Sequence, residues 1–324
     1  MDMFWKAMIG VIGLTAMTVG EVRAEEAPDM KNGEVIDCRY EQSDSGTSSS
    51  AFPGDDVFRP LMADPKQPQF FASYQSVQRR EPTSTVKGVG KSVNVGSVGF
   101  GENFGFYTKR QGCNGWQVGL LAGVFSQFNL DAPSSDLINA DYIVGIPLSW
   151  RHGAWSTRVR LYHQSSHVGD EFLLENPGFN RVNLSFEEVE AIVSYEHRWI
   201  RMYAGGGYLI PRETAELDRH RVQWGVELRG ATVHSPVLGS MMPGLQLTPV
   251  LGADFKTFEE LRWIVNHNVI GGFEWSRPGA KRRFRFLVNY YRGFYPSWPV
   301  FCRCFFSNPP TPQTRLDFPF LFLL

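Results

Sequence analysis

The chain has 324 residues, a formal net charge of −1 and a hydrophobic content of 43%. The near-zero charge argues against a nucleic-acid binder, which carries a basic excess. After the N-terminal region no apolar run reaches the roughly 18 residues that a membrane-crossing helix needs.

Residues 1–24 read as a secretory signal. Lys6 supplies a short positive region, Ala7 to Val19 is small and apolar, and Val22-Arg23-Ala24 resembles a signal-peptidase site. Residues 25–68 are rich in Asp, Glu, Ser, Gly and Pro and are expected to form an irregular periplasmic lead-in. Of the four cysteines, Cys38 and Cys113 could pair in an exported protein, although spacing alone does not establish it; Cys302 and Cys304 are too few for a metal site.

From residue 69 the pattern changes to period two. Strands are expected near 69–78, 94–108, 115–128, 138–151, 155–167, 181–196, 200–210, 219–230, 245–257, 261–276 and 282–294, with a twelfth, of atypical composition, from Arg315 to Leu324. In the strand near 219–230, Val222, Trp224, Val226 and Leu228 share one face, and Arg221, Gln223, Glu227 and Arg229 the other. Glu188 and Glu190 fall on the polar face of their strand, where they are expected to meet arginines, and Glu187 falls on the other face. Several strands exceed the roughly 9–11 residues needed to cross a bilayer. Aromatic residues make up 14% of the chain, enough to supply interfacial girdles. Together these features predict an all-β, antiparallel, up-and-down barrel of about twelve strands in a bacterial outer membrane. Interior charges of both signs predict a plugged lumen. A soluble sandwich is the alternative, because alternation alone does not say whether the apolar face meets lipid or a second sheet. A barrel implies membrane lipids and the barrel insertion machinery as partners.

With a periplasmic N-terminus, the strand near 155–167 runs outward. His163, Ser165 and His167 then share the lipid face with Val159 and Leu161. A histidine and a serine two apart on one strand face are neighbours, so an imidazole could take the hydroxyl proton. His163 and His167 with Asp170 or Glu171 form a weaker candidate metal set. Polar residues at a strand's outer end also suit the headgroup zone or contact with lipopolysaccharide. Lys87-Gly88-Val89-Gly90-Lys91-Ser92 ends like a phosphate loop, but Thr85 stands where the first glycine is required.

His163-Gln164-Ser165, followed by Asn180-Arg181, resembles the outer-membrane phospholipase A family, twelve-stranded barrels with a lipid-facing Ser-His-Asn triad. The resemblance implies Ser165 as nucleophile, His163 as base, Asn180 as the residue orienting His163, and calcium as a cofactor. Asn183, on the outer parity, is a second candidate for the orienting role. Ser166-His167 stands where that family has Asn-Gly. More of the chain, including Phe58 to Pro65, Gly101 to Gly105, Leu137 to Tyr142 and His163 to Phe172, resembles a bacterial family known as domain of unknown function 1207. That resemblance implies an outer-membrane barrel and no activity. Two functions stay open: a lipid acyl-ester hydrolase, or a non-enzymatic barrel acting as a narrow channel or a structural surface protein.

Overall fold

The computed structural model describes residues 47–78, 92–175, 184–210, 218–235, 242–278, 282–293 and 313–317. The signal at 1–24, Cys38, Asn180, Asn183, Cys302 and Cys304 lie outside them. All described residues belong to one compact unit, Ile36–Leu324.

The strands are β1 (Thr47–Ala51), β2 (Phe71–Gln78), β3 (Ser92–Gln111), β4 (Asn114–Asn129), β5 (Asp136–His152), β6 (Trp155–Val168), β7 (Leu184–His197), β8 (Ile200–Ile210), β9 (His220–Arg229), β10 (Val233–His234), β11 (Gln246–Phe258), β12 (Asn266–Ser276), β13 (Phe284–Gly293) and β14 (Gln313–Asp317). A short helix, α1 (Asp170–Glu175), follows β6. Each expected strand has a counterpart among the described residues, the twelfth only over Gln313–Asp317. The one expected near 261–276 starts late, because Glu259–Leu261 form a 3-10 turn and Arg262 and Trp263 take positive φ angles of 53° and 60°.

All pairings are antiparallel, and β3 pairs with both β2 and β4, so the order of strands leads back on itself. Twelve strands make this ring, with β1 and β10 added at its margins. Among the described residues the seam is narrow: β14 meets β2 through three residue pairs.

Burial alternates as the pattern requires. In β6, Ser156, Arg158, Arg160, Tyr162, Gln164 and Ser166 are buried, whereas Trp155, Leu161 and His167 are exposed. Apolar residues thus cover the outside and charges fill the inside, the inverse of a soluble protein and the arrangement of a barrel in lipid. Two aromatic belts mark the ends. Tyr107 and Trp116, Trp155 and Tyr195, and Trp275 and Phe284 pair at the end that carries the β3–β4, β5–β6 and β7–β8 turns. Tyr142 and His167, Tyr208 and His220, and Trp224 and Phe255 pair towards the opposite end. The turn between β3 and β4 carries Cys113, which is disulfide-bonded.

The lead-in departs most from expectation. After β1 pairs along the end of β3, residues 53–68 pass through the ring. Asp56 accepts from Asn103 of β3, Val57 donates to Gln117 of β4, and Lys66 pairs with Asp141 of β5. Gln67 accepts from Arg158 of β6, the carbonyls of Arg59 and Pro60 accept from Arg201 of β8, and Met62 donates to Glu227 of β9. Asp64 pairs with Lys256 of β11, and the Ala63 carbonyl accepts from Asn268 of β12. A segment that reaches strands all round a ring must lie inside it. Four prolines and no periodicity make it look like a loop in sequence, but Leu61, Ala63, Asp64 and Gln67 are each 1% exposed or less. Phe58 sits between the guanidiniums of Arg158 and Arg201, each 4.9 Å from its ring, contacts worth roughly 0.5–2 kcal/mol apiece.

Candidate functional site

The inward face of β6 and β7 is a charge ladder. Glu190 accepts from Arg158 at 3.1 Å and Arg160 at 2.7 Å, and Glu188 pairs with Arg221 at 2.7 Å. Further round the ring, Glu274 binds Arg229, Arg283 and Arg285. The expectation that Glu188 and Glu190 meet lumen arginines therefore holds.

The outward face of the same two strands carries a different arrangement. Their register sets His163 opposite Glu187 and Ser165 opposite Ser185. Opposite residues on one sheet face lie side by side, and diagonal ones are within reach of a long side chain. His163 Nδ1 lies 2.9 Å from Glu187 Oε1, and His163 Nε2 lies 3.3 Å from Ser185 Oγ. A carboxylate can only accept, so Nδ1–H donates to Glu187. In the neutral imidazole Nε2 is then the nitrogen that accepts the Ser185 hydroxyl. The result is a Ser-His-Glu relay on the outside of the barrel, with the His163 side chain 37% and that of Glu187 23% exposed.

The relay sits at the level of the second aromatic belt. One strand away, Tyr142 stands opposite Ser165 and packs edge-on to His167, with ring centroids 5.6 Å apart. On the other side of His163, Leu161, Val189, Val144 and Ile146 present exposed apolar surface. Aromatic belts lie at headgroup depth, and apolar wall lies at acyl-chain depth. Their boundary is where a lipid ester resides.

His163 and Ser165 share the lipid face, as their parity predicts. The hydroxyl that reaches His163, however, belongs to Ser185 rather than Ser165. Asn180 and Asn183, expected to orient His163, lie outside the described residues; among the described residues Glu187, directly across the strand pair, bonds His163 Nδ1. The sequence carried a signal for this. Ser185 and Glu187 have the spacing of a strand face, and Glu187 is a charge on the parity of Val189, Ala191 and Val193. Only the register between β6 and β7 brings them to His163.

The metal candidates do not assemble. No group of three or more His, Cys, Asp or Glu suited to a metal occurs among the described residues. His167 faces outward against Tyr142, whereas Ser166 is buried on the inner face. Calcium takes about six to eight oxygen ligands, and the described residues around Ser165 do not fit that need.

Solved structures similar to this chain include the outer membrane phospholipase A from Escherichia coli, at 12% identity, 84% of this chain, 95% of that chain and a TM-score of 0.47. The Salmonella typhi outer membrane phospholipase dimer with bound calcium is 14% identical over 84% of this chain and 98% of that chain, with a TM-score of 0.49. The beta domain of the Bordetella autotransporter Brka is 9% identical over 79% and 98%, with a TM-score of 0.39. No curated protein matches the chain. The family model described as "Protein of unknown function (DUF1207)" matches residues 21–303, and the chain belongs to that family.

Proposed function

We propose that this protein is an outer-membrane acyl-ester hydrolase that attacks lipids from the membrane side of its barrel. The observation that carries the reading is the Ser185–His163–Glu187 relay on the apolar outer face. Two-faced strands, paired aromatic belts and the export-type N-terminal sequence support the location.

In this mechanism Glu187 holds the His163 ring and stabilises its charged form, as the third member of a triad does. His163 Nε2 takes the Ser185 proton while Ser185 Oγ bonds to the acyl carbon. The leaving lysolipid oxygen then takes that proton from Nε2. Water, activated by the same nitrogen, cleaves the acyl-serine ester, releases the fatty acid and restores the hydroxyl. Backbone N–H groups in a β-ladder are already committed, so the oxyanion needs a side-chain donor. Ser165, directly opposite Ser185, is placed to supply it. No step passes through a metal.

The test uses the refolded full chain on phospholipid mixed micelles, with fatty-acid release as the readout. A fluorophosphonate probe followed by peptide mass spectrometry locates the nucleophile. Release by the wild type, loss in Ser185→Ala and labelling at Ser185 support the reading. Equal release by both proteins would falsify it. Labelling at Ser165 would restore the nucleophile implied by the sequence resemblance. The competing reading is a non-enzymatic barrel. Residues 53–68 fill the ring, which weighs against an open channel; steady conductance in planar bilayers would favour one.

A further inference from the structure

The turn between β3 and β4 is made of Gly112 and Cys113, because Gln111 stands opposite Asn114. Cys113 is disulfide-bonded, and the other cysteines of the chain are Cys38, Cys302 and Cys304. Strand topology separates them. Gly293 pairs with Gln313, Thr314 with Gln78, and Gln78 with Ser92 of β3. Both strand ends that flank Cys302 and Cys304 therefore lie beside the Ser92 end of β3. Cys113 follows the opposite end of this 20-residue strand, roughly 60 Å along it at about 3.3 Å per residue. Cys302 lies nine residues after Gly293, and Cys304 nine before Gln313. A fully extended chain of that length reaches only about 30 Å. Cys38 lies nine residues before Thr47, and Thr47 stands opposite Gln111, beside the turn. The same reach is ample there.

The stretch between Cys38 and Cys113 contains the internal segment, and the entry of that segment is weakly held. β1 pairs with β3 over five residues, all of them exposed, so it buries little apolar surface to keep it in place. Phe52, where the chain turns inward, is 78% exposed and has a φ of 52°, a left-handed conformation that is costly for a bulky residue. Residues 53–68, in contrast, bond to strands all round the ring.

We propose that Cys113 is cross-linked to Cys38, and that this bond is a strap that keeps β1 on β3 where the internal segment enters the ring. As the S–S bond forms, the two thiols lose two protons and two electrons. A disulfide-bearing oxidant takes them and becomes a dithiol. A cross-link removes conformations from the opened chain, and the effect grows with the length of the enclosed loop. Here the loop runs from residue 38 to residue 113 and includes the whole internal segment. The strap stands independently of the hydrolase reading, whose residues lie on β6 and β7.

The test uses the full chain purified without reductant. Free thiols are alkylated, the protein is unfolded and cut with trypsin, and cross-linked peptides are identified by mass spectrometry. The expected product joins peptide 32–39, which carries Cys38, to peptide 111–151, which carries Cys113. A link from 111–151 to a peptide carrying Cys302 or Cys304, or an alkylated Cys113, would overturn the assignment. The strap itself is read by limited proteolysis of the folded chain with a non-specific protease. Cys38→Ser, and separately reduction of the wild type, should raise the rate of cutting within residues 47–57 about tenfold or more, because cleavage follows the population of the opened form. Cutting in the remote β11–β12 turn, residues 259–264, is the internal reference and should not change. Cys302→Ser combined with Cys304→Ser should leave the link and both cutting rates as they are. Equal cutting within 47–57 with and without the bond would show that it does not restrain β1 and would overturn the strap.

Discussion

The two faces of the β6–β7 pair carry similar chemistry under opposite conditions. Inside, Arg158 and Arg160 share Glu190 in a buried ion cluster. Outside, His163 meets Glu187 and Ser185 at a partly exposed surface bordered by Leu161 and Val189. Buried charges are retained only when paired, because removing one partner leaves an uncompensated charge. The inner cluster therefore holds the wall to its internal segment. A histidine with a carboxylate on one nitrogen and a hydroxyl on the other is not needed to hold a lipid-facing wall together. It is the arrangement that proton transfer requires. The comparison teaches that alternation sorts residues by environment, and that a polar group on the oily side marks a place where structure alone does not account for the residue.

The largest expected effect falls on the outer face. Ser185→Ala or His163→Ala should lower the rate of fatty-acid release by about 10³–10⁴-fold, with the barrel's denaturation midpoint nearly unchanged. Ser165→Ala should lower kcat by roughly 10²-fold with little change in KM, as loss of an oxyanion donor does. A large loss of stability in any of these variants would erase the distinction between the faces.

On the inner face the ordering reverses. Glu190→Leu strands two arginines and should destabilise the folded barrel by about 3–5 kcal/mol in urea titrations, far more than Glu187→Leu does. A Cβ at Gly207 would lie 1.8 Å from Glu188 Oε1. Gly207→Val should therefore displace the Glu188–Arg221 pair and destabilise by about 1–3 kcal/mol.

The smallest effect lies at the rim, away from both faces. There Glu259 accepts from the His220 side chain and from the backbone N–H groups of Arg219 and His220. The His220 side-chain bond chiefly, with the backbone bonds, holds its pKa below the ordinary 4.5. A depressed carboxylate pKa adds stability above the unfolded value and loses it as pH falls through the folded one. Thermal melts of wild type and Glu259→Gln should differ slightly near pH 7 and converge in acid. A difference that grows in acid would show that the carboxylate is not held by these bonds.

Much of the barrel was legible because the side-chain period of a strand is two and the environments on its faces differ. Strand positions, the inward direction of Arg158, Arg160, Glu188 and Glu190, and the outward direction of His163 and Ser165 all followed from parity. The internal segment was not legible. Pro53, Pro60, Pro65 and Pro68 break any period, and nothing local distinguishes a segment filling a lumen from one hanging outside it. The relay was only half legible. Parity placed Glu187 outward but could not say which β6 residue stands across from it.

The sequence by itself determined a chain of two-faced strands, because alternation is a local property written residue by residue. Only the tertiary structure decided that Ser185 rather than Ser165 reaches His163, that Glu187 bonds its other ring nitrogen, and that residues 53–68 run inside the ring. Each depends on strand register or long-range pairing. A shift of one residue in the register of β7 would turn Ser185 and Glu187 to the other face.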